Sequence, residues 1–164
     1  MTRFIVDAML GKLALWLRLA GYDTIYSAEI HDDQLLEIAK NEVRVLITSD
    51  AELFERAIHH STSALLVRGG VDERVATVFK TFDIAPKIDP SRSRCSKCNG
   101  ELQEIANDEK ELVRNLVHDQ TYNYYDQFWL CNDCRSVYFQ GGQWSNIREY
   151  MDRISELIQR GNDS

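Results

Sequence analysis

Proline is almost missing from this 164-residue chain, at two residues, and glycine is sparse at eight, so collagen-like and low-complexity architectures are excluded. A long apolar run is missing too. The most hydrophobic early stretch, MLGKLALWLRLAGY, is cut by Lys12 and Arg18 and falls short of the roughly 18 uncharged residues a membrane span needs. A secretory signal does not fit the start, because Asp7 falls where its apolar segment would run. These absences predict a soluble, cytoplasmic protein with no membrane partner. Basic excess is absent as well: 19 Lys and Arg face 26 Asp and Glu, a net charge of −7. Counterion release therefore gives the chain little non-specific affinity for nucleic acid, which argues against a sequence-blind sliding binder. An enzyme whose carboxylates gather round divalent cations remains open, because bound metal inverts the local field.

Cysteine is confined to the second half, as Cys95-Ser-Lys-Cys98 and Cys131-Asn-Asp-Cys134, with 32 residues between the pairs. A tetrahedral zinc takes four thiolates at about 2.3 Å, and each C-x-x-C turn offers two of them from one tight loop. The pattern predicts a structural Zn²⁺ held by Cys95, Cys98, Cys131 and Cys134. Two disulfides are the competing reading, disfavoured in an otherwise cysteine-free intracellular chain. Four thiolates fill the coordination sphere, so this metal would hold the fold together and do no chemistry.

Strand and helix signals alternate through the first 85 or so residues. RFIVDA, YDTIYS, VRVLITSD and SALLVRGG read as strands. LGKLALWLRLAG, DDQLLEIAKNE, AELFERAIHH and DERVATVFKTF read as the helices between and after them. Such alternation predicts a parallel sheet covered on both faces. IAPKIDPSRSR, with both prolines, reads as a linker. Beyond it, paired cysteines and clustered aromatics suit a zinc ribbon, with most of the rings forming its small core and some free to stack nucleobases. The tail SNIREYMDRISELIQR sets Ile147, Tyr150, Met151, Ile154, Leu157 and Ile158 on one helical stripe, with Ser145 or Asn146 as cap.

Ligands of open parallel sheets bind at the carboxyl ends of the strands. Asp7 ends the first strand, Asp50 the third, and Asp32 and Asp33 open the intervening helix. Brought to one edge, they could hold Mg²⁺ or Mn²⁺ through hard oxygen ligands and support in-line attack on a phosphodiester. Each has a plainer reading. On that reading Asp32 or Asp33 caps its helix, and Ser49 with Glu52 makes a capping box that leaves Asp50 as a helix-dipole partner. Asp7 is harder to dismiss, because an acid directly after buried FIV needs a partner. Lys12 and Arg18 could reach phosphate or simply snorkel. His59 and His60 suit a helix C-terminus, and His31 beside Asp32 is ambiguous.

VDAMLGKLALWLRLAGYDT at 6–24, DDQLLEIA at 32–39 and ITSDAEL at 47–53, with RCSKCNGEL at 94–102 and FWLCNDCRSVYFQGGQW at 128–144, resemble the PIN-like ribonuclease family named for the C-terminal domain of mutator-seven exonuclease. The resemblance spans residues 3–147. It implies a PIN-like α/β nuclease domain at 1–88, a parallel sheet flanked by helices. A small four-cysteine zinc-ribbon module at 89–146 and a C-terminal amphipathic helix and tail at 147–164 follow. It further implies a Mg²⁺- or Mn²⁺-dependent ribonuclease, a hydrolase of the endonuclease type. Asp7, Asp33 and Asp50 match the family's acidic positions, Asp32 is an alternative to Asp33, and Asp72 is the sole candidate for a fourth. Lys12 and Arg18 match basic positions expected at substrate, and the ribbon is expected to aid RNA recognition. Two positions depart from the family pattern: Leu15 stands where arginine is usual and Gln143 where histidine is usual. The other reading is a non-catalytic RNA-binding or protein-docking module, with the last helix serving a protein partner or homodimer. A haloacid-type hydrolase or phosphotransfer receiver is disfavoured, because Asp7-Ala8-Met9 offers one acid where those need a pair.

Overall fold

The computed structural model describes residues 1–163, with side chains through residue 162. The first unit is β1 (Phe4–Val6), α1 (Gly11–Leu19), β2 (Thr24–Ile25), α2 (Asp32–Asn41), β3 (Val45–Thr48), α3 (Ala51–His59), β4 (Ala64–Leu66) and α4 (Val71–Thr81). Its four strands are parallel, in the order β2-β1-β3-β4. They are shorter than the apolar runs suggest, with Asp7, Ser49 and Asp50 lying just beyond the strand ends. Every residue of β1 is buried, yet the two-residue side-chain period still sorts them. Phe4 and Val6 join Ile47 against α1 and α4, whereas Ile5 joins Leu46 against α2 and α3.

The four helices of this unit end alike. In each, the residue after the cap has positive φ (Gly21, Val43, Ser61, Asp83), and the next N–H reaches back to the third residue from the helix end: Tyr22 to Leu17, Arg44 to Ala39, Thr62 to Ala57 and Ile84 to Phe79. Gly21 has a second reason to be glycine, since a Cβ there would sit 2.7 Å from the Arg92 carbonyl oxygen. Val43 is the odd member, a β-branched residue at φ 54°, where such side chains are disfavoured.

The second unit is an antiparallel sheet of β5 (Leu102–Ile105), β6 (Phe128–Cys131) and β7 (Val137–Tyr138), in that order. A 3-10 helix over Asn107–Val113 and α5 (Asp119–Tyr124) lie between β5 and β6. Ile105, Val113, Phe128 and Leu130 form its core, with Tyr122, Tyr125 and Phe139 packed on them. Most of the rings are therefore core, and Tyr124 is the exposed exception.

Helix α6 (Gly142–Asp163) begins three residues before the earlier of its two expected caps and brings Trp144 into the main core. Ile147, Met151 and Ile154 are buried in the same cluster as α1 and α4, and Tyr150, Leu157 and Ile158 pack at its edge. The stripe that the sequence leaves open to a protein partner or second copy is thus covered within the chain.

The proline-containing segment 84–94 is likewise no free tether. Ser93 Oγ donates to the Leu19 carbonyl at 2.5 Å, and Arg94 N–H to that of Arg18 at 2.8 Å. The first knuckle continues the seam. Arg18, 6% exposed, donates from Nε to the Thr24 carbonyl at 3.0 Å and from Nη1 to that of Ser96 at 3.1 Å. Asn99 accepts from Thr24 N–H at 3.0 Å and donates to Asp23 Oδ1 at 2.8 Å, which Arg44 also reaches at 2.9 Å. Burial works against the Asp23 charge, but these donors hold its carboxyl below the ordinary range.

Candidate functional site

In the order β2-β1-β3-β4, the chain leaves β1 toward one side of the sheet and β3 toward the other. The crevice at the carboxyl ends of β1 and β3 is therefore the sheet's topological switch point. Asp7 is the first residue beyond β1, and its N–H bonds the Ile47 carbonyl at 3.0 Å, holding it against β3. Thr48, the last residue of β3, ties the acids together. Its hydroxyl donates to Asp7 Oδ2 at 2.8 Å and accepts from Asp50 N–H at 3.0 Å. This hydroxyl is the partner that the nearly buried Asp7 requires. Asp50, rather than Ser49, caps α3, with Oδ1 accepting from Glu52 N–H at 2.9 Å and Leu53 N–H at 3.2 Å. Among the described residues, the second oxygen of each carboxylate carries no hydrogen bond. One oxygen from each acid is left for a hard cation, so the donor chemistry fits Mg²⁺ or Mn²⁺.

The remaining acids stand apart from this pair. His31, not Asp32 or Asp33, is the N-cap of α2, and both aspartates lie in its first turn. Asp33, with its side chain 88% exposed, pairs with Arg56 of α3 at 2.5 Å. Asp72, in the first turn of α4, faces Tyr150 of α6. Burial and then this carboxylate push the Tyr150 phenol upward. Among the described residues, no three carboxylates converge closely enough to share an ion.

Lys12 is exposed in the first turn of α1 and in no ion pair among the described residues. Arg18, expected at substrate, has its Nε and Nη1 engaged by backbone carbonyls in the seam. His59 and His60 sit exposed at the end of α3. Leu15 and Gln143 both line a cleft of about 1200 Å³ between α1, the ribbon and α6.

The sulfurs behave differently. Cys95, Cys98, Cys131 and Cys134 are free thiols whose Sγ atoms all lie within 4.8 Å of one another. Cys95 to Cys134 measures 3.6 Å and Cys98 to Cys131 3.4 Å. A tetrahedron with Zn–S near 2.3 Å needs about 3.8 Å between sulfurs, so the cluster is compatible with structural zinc. Register explains the convergence: β5 pairs with β6 so that Leu102 lies opposite Cys131, which sets the first knuckle beside the second. The Tyr138 hydroxyl lies 3.2 Å from Cys95 Sγ and accepts from Ser96 N–H at 3.1 Å. The Ser136 hydroxyl, 3.1 Å from Cys134 Sγ, pulls that thiol down to about 6, while burial pushes Cys131 up.

Thr48, Arg44 and Asn99 escaped the sequence reading, and Tyr138 entered it only as one of the ribbon's clustered rings. Thr48 had one local signal, a hydroxyl between a buried run and an acid. The others become informative only when chain segments more than twenty residues apart meet.

Fold and sites together define a mixed α/β protein with acidic residues at a parallel-sheet switch point and a four-cysteine module ready for metal. The chain belongs to the Mut7-C RNAse domain family, whose model matches residues 2–151, through both sheets and into α6. Neither a curated protein nor a solved structure matches significantly. Membership in an RNase domain family indicates a nuclease-like role and RNA as the ligand. Among the described residues, no helix is long and apolar enough to cross a membrane.

Proposed function

We propose that the protein is a metal-dependent ribonuclease of the endonuclease type, built on a PIN-like sheet and stapled by zinc. The observation that carries this reading is the pair Asp7 and Asp50, joined through Thr48 at the switch point, each with one uncommitted carboxylate oxygen. These oxygens would hold Mg²⁺ or Mn²⁺, with Asp33 as a third ligand and Asp32 or Asp72 in reserve. Such an ion supplies an acidified water and neutralises charge at phosphorus. Thr48 keeps Asp7 aimed at the crevice, and Lys12 at the start of α1 is placed to hold a phosphate oxygen. Arg18, engaged in the seam, is left out of the substrate contacts.

The test is cleavage of short single-stranded and hairpin RNAs with Mg²⁺, Mn²⁺ or no added divalent ion, comparing wild type with Asp7→Asn and Asp50→Asn. Asparagine is as good an N-cap as aspartate, so Asp50→Asn keeps α3 intact. Each variant is expected to lose about 100-fold or more in rate. Undiminished cleavage by the double variant would refute the site. A non-catalytic RNA-binding module is the second reading, favoured by the hold of Arg56 on Asp33. It predicts RNA bound with no products under any divalent ion.

A further inference from the structure

We propose that the cleft between α1, the ribbon and α6 holds a single-stranded flank of the RNA, beside the acidic edge and separate from it. This rests on the RNA-cleaving reading above and adds where the substrate lies. The cleft measures about 1200 Å³. A drug-sized ligand fills about 300–1,000 Å³, so this volume suits more than one nucleotide. Its charge departs from that of the chain. Lys97, Arg135 and Arg153 line it against one carboxylate, Glu149, and the zinc-ligating sulfur of Cys134, in a protein of net charge −7. None of the three cations is in an ion pair among the described residues, whereas Arg44, Arg56 and Arg94 are each paired with an acid. Unpaired cations on an acidic protein complement phosphate.

One wall is built from flat groups. The rings of Trp16 and Tyr150 stack at 4.2 Å and 6°, and the Arg153 guanidinium lies 5.1 Å from the Tyr150 ring centre. A nucleobase is a further flat layer that such a stack accepts, and only unpaired bases are free to join it. Position links the cleft to the chemistry. Trp16 lies one helical turn, about 6 Å, from Lys12 at the start of α1, where the helix approaches the edge that carries Asp7. A strand leaving the cleft along α1 therefore meets Lys12 before the carboxylates.

The test is fluorescence anisotropy of a labelled short single-stranded RNA with the zinc-loaded full chain, without added magnesium or manganese. Arg153→Glu is expected to weaken binding about tenfold or more, and Leu15→Arg, which adds a cation on the cleft wall, to tighten it. Arg92→Glu changes net charge equally outside the cleft and is expected to weaken binding less than about twofold. Equal losses in Arg153→Glu and Arg92→Glu, or displacement of RNA by polyglutamate at equal charge, would overturn the proposal. If wild type and Arg153→Glu bind and cleave RNA equally well, only the cleft falls. If wild type binds no RNA at about 50 mM salt, the cleft and the nuclease reading fall together.

Discussion

The two candidate metal centres are organised in opposite ways. In the ribbon, four sulfurs converge within 4.8 Å of one another. At the edge of the parallel sheet, the acids are parcelled out to protein donors: Asp7 to Thr48, Asp50 to the α3 amides and Asp33 to Arg56. A difference in chain geometry accounts for this. Each C-x-x-C turn places two ligands by local backbone geometry, so one strand pairing assembles all four. The carboxylates arrive singly on separate elements, each held by a different protein donor, so no local geometry brings them together. The soft ligand set is therefore placed by two tight turns and one strand pairing, while the hard set is drawn from separate elements.

The largest test of that contrast is Cys131→Ser. Structural zinc contributes on the order of 10 kcal/mol to small metal modules, so zinc content should fall from one per chain toward zero. Hydrogen-exchange protection should vanish from β5–β7 while β1 and β3 keep theirs. Exchange measured strand by strand reads both, and equal loss in the two sheets would erase the contrast.

Next comes the seam that joins the units. Arg18→Met leaves the Thr24 and Ser96 carbonyls without their charged donor and should cost about 3 kcal/mol in urea unfolding. An unchanged midpoint would show that the units are stable independently of it.

A smaller effect is confined to the first unit. Val43 is 83% exposed with φ 54°, so Val43→Gly relieves left-handed strain without losing packing. Stability should rise by up to about 1 kcal/mol with zinc content unchanged, as read by calorimetry beside metal analysis.

Smallest in stability is Arg56→Ala, which breaks an exposed pair. The melting temperature should stay put, while the magnesium concentration for half-maximal cleavage should fall as Asp33 is released. A higher magnesium requirement would mean that Arg56 assists the site rather than competing for its ligand.

The sequence made the alternation of strands and helices legible, because buried parallel strands read as short apolar runs and their helices as amphipathic stretches. It also marked the sulfur cluster, since half of each ligand set is local to one turn. The α6 stripe was legible as apolar, but its partner was not. That Ile147, Met151 and Ile154 would meet α1 and α4 depends on the route of the chain through the ribbon and back. Arg18 shows the same limit, because a cation on a helix flank looks alike whether its donors face phosphate or the carbonyls of a knuckle nearly eighty residues away.

By itself, then, the sequence determined the order of strands and helices in the first unit, which helix faces are apolar and which four cysteines belong together. These follow from periodicity and short-range geometry. Only the tertiary structure decided that Thr48 links Asp7 to Asp50, that Arg18 and Asn99 lock the ribbon to the sheet and that α6 closes the core. Those are meetings between distant segments, and a hydrogen bond's direction and distance are fixed only once both partners have been brought together.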